Sequence, residues 1–449
     1  MTKREGTALG LCAALLAGML WAGRADAAAF TWGGDFRLRQ CNIEDVHLRN
    51  GGNIQVLSFF RIKPALWGQY SPSAKLALYL RVTDEMRKWV QPENRTGMYA
   101  YKYPDEVVVE NLYVDLKGLA GGKLDLRLGR QNLIYGTGKI LLDGTPGDGS
   151  RTIYMDALRA SYRASDRMTV DLLGIYNLAE NPLVTGDEER NLTNLTLQDV
   201  DNEMNELGAG VYLKHKGLSD AYPFEAYYLF KQQAEYATAA GDRDAANLNT
   251  IGGRVMPKLG STLAGNLELA YQLGSMGDVD LSGYMLDAKV THSCPRLAAR
   301  KGQASLGLYV LSGDDPDTQD KGEAWNAPFA RWPQYSELYI YSYAADRGSV
   351  ADWQNLLMPY VEIGANVGPA VNSTALLGYM RAMQDDGPGD GQGRGLLFTL
   401  WNKFEVAKGM VRQSDALTGH FLIELAKPGD YYVAEATSMF LRWQLNYQF

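Results

Sequence analysis

Few side chains in this 449-residue chain are placed to do covalent chemistry. The four histidines, His47, His215, His292 and His420, have the spacing of no metal-ligand motif. No G-x-S-x-G nucleophile elbow occurs. The stretch GTGK at 136–139 has the glycine and lysine of a phosphate loop but not its frame, since position 133 is Leu and Ile140 follows Lys139. A loop with two glycines accounts for it. His420 shares an alternating face with Thr418 and Glu424. A lipase built on that face predicts detergent-dependent esterase activity lost on changing His420. No cofactor and no metal is expected, and catalysis has little support.

The charged residues that alternate with apolar ones say more. Arg37, Arg39, Arg61, Lys63, Arg81, Arg127, Arg159, Lys214, Lys231, Arg254, Lys289, Lys403 and Arg442 form one such set. Asp35, Asp115, Asp125, Asp171, Glu225, Glu268, Asp287, Glu362, Glu405 and Glu424 form the other. The planar fork of arginine matches carboxylates and phosphates, so a ring of them can select an anionic solute. The bland reading is that Arg and Asp or Glu pair across neighbouring strands and stiffen a wall. With 13 basic against 10 acidic positions in the two sets, both uses are open.

These residues need strands to position them. Apolar side chains recur at every second position in 18 segments, and no long segment holds the i, i+3, i+4 spacing of an amphipathic helix. Short connections such as Ser71-Pro72-Ser73, Ser165-Asp166 and Gly368-Pro369 alternate with long polar ones at about 84–105, 132–153, 178–204, 234–246, 313–354 and 385–394. That asymmetry predicts an all-β fold, a transmembrane antiparallel up-and-down β-barrel of about 18 strands with trimmed periplasmic turns. The stretch YSELYIYSY at 335–343 has strand character, yet counting it would give an odd number and invert the long and short ends. It is therefore placed inside one long loop, folded inward. Aromatic residues near strand ends, among them Trp32, Trp67, Tyr70, Tyr135, Tyr176, Tyr222, Trp443 and Phe449, fit interfacial girdles. Stacked soluble sandwiches also alternate, but their edges need covering, which closure removes. Eighteen strands enclose a lumen too wide for side chains to fill, so a water-filled path is expected unless loops plug it.

Lys3, Arg4, the apolar run from Thr7 to Gly23 and Ala25-Asp26-Ala27 read as a signal peptide over 1–27, with the barrel over 28–449. Outer-membrane lipid is then the first partner. A net charge of −8 argues against nucleic acid. Cys41 and Cys294 alone make no disulfide framework.

Four stretches resemble the alginate-export family of outer-membrane channels: LRLGRQNLIYGTGKILL (126–142), YMDALRASY (154–162), the region from YVLSGDDPDTQD to FARWPQYSELYIYSY (309–343), and KPGDYY to ATSMFLRWQLNYQF (427–449). The resemblance implies an 18-stranded monomeric barrel with an arginine-rich lumen, gated by long loops, that passes an anionic uronate polymer outward with the help of periplasmic export partners. It carries over Gly129-Arg130-Gln131 and Arg331-Trp332-Pro333, the latter as part of an inward constriction loop. The terminal Phe449 resembles the signal read by barrel-assembly machinery. Together these give an expected channel for an anionic solute or polysaccharide. Its lumen residues are Arg37, Arg39, Arg61, Lys63, Arg81, Arg127, Arg130, Arg159, Arg254, Arg331, Glu362 and Arg442. The alternative is a substrate-specific uptake porin for sugars or small carboxylates. A plugged structural barrel or adhesin would permit no solute passage.

Overall fold

The computed structural model describes residues 29–47, 53–84, 86–91, 106–142, 155–178, 184–186, 205–217, 219–238, 241–330, 335–338 and 353–449. The expected signal peptide, most of loops 84–105 and 178–204, and Arg331-Trp332-Pro333 lie outside them.

Eighteen antiparallel strands form the wall. The first six are β1 (Ala29–His47), β2 (Asn53–Ser73), β3 (Leu76–Asp84, continued by Met86–Gln91), β4 (Glu106–Gly118), β5 (Leu124–Gln131) and β6 (Met155–Ser165). Next come β7 (Met168–Asn177), β8 (Glu206–His215), β9 (Phe224–Gln233), β10 (Ala246–Val255), β11 (Leu263–Met276) and β12 (Val279–Ser293). The last are β13 (Gln303–Leu311), β14 (Leu356–Gly368), β15 (Val371–Arg381), β16 (Gly393–Lys408), β17 (Ala416–Lys427) and β18 (Ser438–Gln448). Each pairs with its sequence neighbours, and β1 also pairs with β18, from Asp35↔Gln448 to Glu44↔Met439, so the sheet closes. At the seam the Gly34 and Phe449 backbones exchange two hydrogen bonds of 3.0 Å. Closure leaves no row of open backbone donors facing lipid, the condition for a sheet to cross a membrane.

The outward face is the apolar one. Leu66, Leu128, Ile251, Leu306 and Ile363 are each at least 60% exposed, a belt that only an apolar surround makes favourable. The large buried side chains lie inside the barrel instead. Ile134–Tyr135, Leu141–Leu142 and Phe329–Ala330 form a small three-stranded sheet within the lumen. Leu133, Ile140, Leu141, Trp325, Phe329 and Leu338 pack there with at most 1% exposure. Parts of loops 132–153 and 313–354 are thus folded inward. β13 pairs directly with β14, from Gln303↔Gly364 to Leu311↔Leu356, so YSELYIYSY is no wall strand. Cys41 and Cys294 form no disulfide with each other.

Two aromatic residues expected in the girdles are elsewhere. Trp67 shares the inward parity of Lys63 and Ala65 and stacks on Tyr79 at 6.0 Å. Tyr135 rides on the inward loop, and its hydroxyl donates to Asp171 at 2.9 Å. Proximity to a strand end did not decide the face; strand parity and the loop path did.

Gly129, in the trio carried over from the resemblance, has a backbone role. Its φ is +121°, and a Cβ there would stand 2.3 Å from the Leu112 carbonyl oxygen. Gly129→Ala is expected to cost about 2 kcal/mol or more. The folded, fast-migrating band in an SDS gel should then convert to the unfolded form at a lower temperature than wild type, and an unchanged conversion temperature would refute this role.

Candidate functional site: the lumen and its constriction

The inward residues of β18, β1, β2 and β3 build a basic wall. Register sets Arg37 opposite Lys63, and Arg39 opposite Arg61, which is opposite Arg87. Rows of like charge on adjacent strands destabilise a sheet, by ~0.2–1 kcal/mol per direct pair. Gln444 steadies the row by accepting from Arg39 Nε at 2.9 Å and Nη2 at 2.7 Å. Arg87 stands over the rings of Phe59 and Trp89 at 5.3 and 5.9 Å. Part of the basic wall is ion-paired: Glu110 takes both Lys63, at 3.0 Å, and Arg81, and Asp35 accepts from Arg81 at 2.6 Å.

β5 and β6 continue the cations with Arg127 opposite Arg159. Arg127 is clamped by Asp115 at 2.6 and 2.9 Å and lies 3.8 Å over the Tyr113 ring. Arg130 is only 3% exposed and makes a fork-to-fork pair with Asp156 at 2.9 Å for each bond. Gln131 beside it donates to the Ala157 carbonyl at 2.8 Å. The carried-over trio thus braces the wall between β5 and β6.

The facing wall, β7 to β14, carries the carboxylates, and each is held. Asp171 takes Tyr135 and Lys214; Glu206 takes Lys231 at 2.8 Å; Glu225 takes Tyr212 at 2.8 Å and Arg254 at 3.2 Å. Glu268 takes Tyr227 at 3.0 Å, and Glu362 takes Lys289. Asp287 takes Lys139 at 2.9 Å and Tyr335 at 3.1 Å, both from inward loops. Burial and the Asp171 carboxylate push the Tyr135 hydroxyl above the usual phenol value; burial and Asp287 do the same for Tyr335. For Lys139 burial pulls downward, but Asp287 and Tyr309 outweigh it and leave the ammonium above its ordinary value. At neutral pH the two tyrosines are therefore neutral donors and Lys139 is charged.

The second inward loop is latched to β17 and β18. Glu424 accepts from the backbone N–H groups of Glu337 and Leu338 at 2.9 Å and from the Ser336 hydroxyl at 2.9 Å. Arg442 pairs with Glu337 at 3.0 Å, both side chains 1% exposed, and its Nε donates to His420 Nε2 at 3.0 Å. His420 is thereby occupied as an acceptor beside Trp401, at 5.0 Å, and no serine–histidine pair forms there among the described residues. Between the loops and the wall lies a cavity of about 420 Å³ that includes Lys139, Arg254, Lys289, Tyr335, Glu362 and Trp401 in its lining.

Several of these residues escaped the alternation argument. Glu110 and Asn111 are consecutive yet both buried on the inward side, because the register slips between Arg81, opposite Asn111, and Val82, opposite Val109, and bulges the strand. Arg87 falls in the stretch expected as loop 84–105, but the strand runs on past Asp84 and sets Arg87 opposite Arg61 in the register that sets Thr83 opposite Ala65. Tyr212, Tyr227, Tyr309 and Tyr360 are inward residues at most 7% exposed, though their type alone suits either face. Arg331 lies outside the described residues.

No protein-family model matches the chain, and no curated protein matches it by sequence. Solved structures do share its fold. OpdK of Pseudomonas aeruginosa, an outer membrane protein, is 10% identical over 93% of this chain and 98% of its own, with a TM-score of 0.58. OpdF of Pseudomonas aeruginosa, solved in complex with glucuronate, is 11% identical over 93% of this chain and 96% of its own, also at 0.58. OccAB4 of Acinetobacter baumannii is 10% identical over 93% of this chain and 98% of its own, at 0.55. The resemblance to the alginate-export family finds no support among these neighbours. The closed 18-strand wall and its apolar belt are those of a bacterial outer-membrane barrel.

Proposed function

We propose that the protein is a passive uptake channel for small hydrophilic anions, with small carboxylates, including sugar acids, as its substrate class. The observation that carries this reading is the pair of in-register cation rows, Arg37–Lys63 and Arg39–Arg61–Arg87, on one wall of the lumen. The opposing carboxylates Asp287, Glu206, Glu225 and Glu268 are each taken by a Lys, Arg or Tyr. A carboxylate meets several weak cationic sites in sequence, so it is attracted without being trapped. The inward loops favour a small solute over a polymer, since a chain of uronates would have to thread past both. The glucuronate bound by OpdF is of the size and charge this lumen would take.

Liposome swelling tests the reading. Proteoliposomes in glucuronate are expected to swell several-fold faster than in glucose of nearly equal size, with alginate oligomers excluded. No swelling in any solute would favour a plugged structural barrel. Faster entry of glucose would remove the anionic part of the proposal.

A further inference from the structure

Three neighbouring turns at the periplasmic end carry cations that the lumen does not use. They join β8 to β9 (216–223), β10 to β11 (256–262) and β12 to β13 (294–302). Lys216, Lys258, Arg296, Arg300 and Lys301 are all exposed. The one carboxylate among the described residues of these turns, Asp220, is taken by Arg167 of the preceding turn at 2.8 Å; the five cations make no ion pair among the described residues. In a chain of net charge −8 these cations are segregated against the overall sign. The opposite end carries acids instead, with Asp314, Asp315, Asp317, Asp320 and Glu323 in one loop and Asp385, Asp386 and Asp390 in another.

The same three turns expose apolar side chains. Tyr222 is 53% exposed, Leu259 48% and Leu297 46%. They extend the lipid-facing belt of the strands they join, which presents Phe224, Leu263, Val290 and Leu306. The cations therefore stand at the edge of that belt, at the depth where phospholipid headgroups lie. Apolar residues set among Lys and Arg are the composition of a surface seated in the membrane interface. An acidic soluble protein would use the cations but leave Tyr222, Leu259 and Leu297 without a role.

We propose that this arc binds anionic phospholipid of the periplasmic leaflet, its cations holding headgroup phosphates while Tyr222, Leu259 and Leu297 enter the acyl boundary. Adjacent hairpins stand roughly 10 Å apart, two strand spacings, so the arc spans more than one headgroup. The arc lies outside the lumen and is independent of which solute the channel carries.

Native mass spectrometry of the full chain released from detergent tests this with phosphatidylglycerol and phosphatidylethanolamine of matched acyl chains. Wild type is expected to retain phosphatidylglycerol at least about 10-fold better, and Arg296→Ser/Arg300→Ser/Lys301→Ser to bring that ratio below about 3-fold while keeping a heat-modifiable barrel. Lys75→Ser/Lys123→Ser, on turns of the opposite side, should leave it unchanged. If the triple variant fails to form a barrel, Lys258→Ser/Leu259→Ser reads the same loss on the adjacent turn. Equal retention of the two lipids by wild type, or an unaltered ratio in the variants that fold, overturns the proposal. Displacement of the lipid by equimolar glycerol 3-phosphate, or stronger retention of polyglutamate, would reassign the arc to a soluble anion or an acidic protein and overturn it as well.

Discussion

Arg39→Glu/Arg61→Glu is expected to turn an anion-preferring pore towards cations. The two residues face each other in register and form the centre of the longer cation row. Each substitution removes one attraction for a carboxylate and adds one repulsion. At ~4 Å through water a unit charge contributes about 1 kcal/mol, so two reversals shift the anion's energy by up to about 4 kcal/mol before salt screening. Even a strongly screened remainder of about 1.4 kcal/mol changes the anion-to-cation permeability ratio tenfold. Planar-bilayer reversal potentials across a salt gradient read this directly. The change should be largest at low ionic strength and shrink towards 1 M salt, where the Debye length falls to about 3 Å. The variant turns the 61–87 contact into an opposite-charge pair, keeps like charges at 39 and 61 and loses the Arg39–Gln444 bonds, but it leaves the backbone ladder intact, so the wall is expected to stay closed. A reversal potential that does not move would show that selectivity is set elsewhere in the lumen.

Glu424→Ala is expected to release the inward loop at 335–338. One buried carboxylate accepts two backbone N–H groups and a hydroxyl from that loop. Donors stranded in a buried site cost about 1–3 kcal/mol each, so undocking becomes favoured by at least about 3 kcal/mol, on the order of 100-fold in the docked-to-open ratio. The Arg442–Glu337 pair and the Tyr335–Asp287 bond are then among what still holds the segment. Single-channel conductance should rise, with more frequent large openings and weaker discrimination between glucuronate and larger solutes. The wall should hold, because the ladder from β16 through β18 is unaffected. Glu424→Gln keeps a carbonyl acceptor and should fall between the two. Unaltered conductance in the alanine variant would mean that this segment does not narrow the path.

The period-two pattern was enough to place all 18 wall strands, because strand parity is a local property: a lipid-facing charge is costly at each position separately. Leu66, Leu128 and Ile363 could be assigned outward, and Arg39 and Arg61 inward, from their sequence neighbours alone. The even strand count and the alternation of long and short connections excluded 335–343 from the wall, and direct pairing of β13 with β14 agrees. Where a bulge shifts parity, as at Glu110, the local rule gives the wrong face.

What parity cannot supply is register between strands and the path of loops across the lumen. That Arg39 meets Arg61 and Arg87, rather than a carboxylate, depends on strand offsets fixed by the whole closed sheet. That Lys139 reaches Asp287, 148 residues away, and that Glu337 reaches Arg442 depends on loops finding room inside a finished barrel. Side-chain spacing along the chain therefore determined the wall and the sign of its faces. Only the tertiary structure decided which charges meet, because contacts across a lumen join residues whose separation in sequence carries no information about their distance in space.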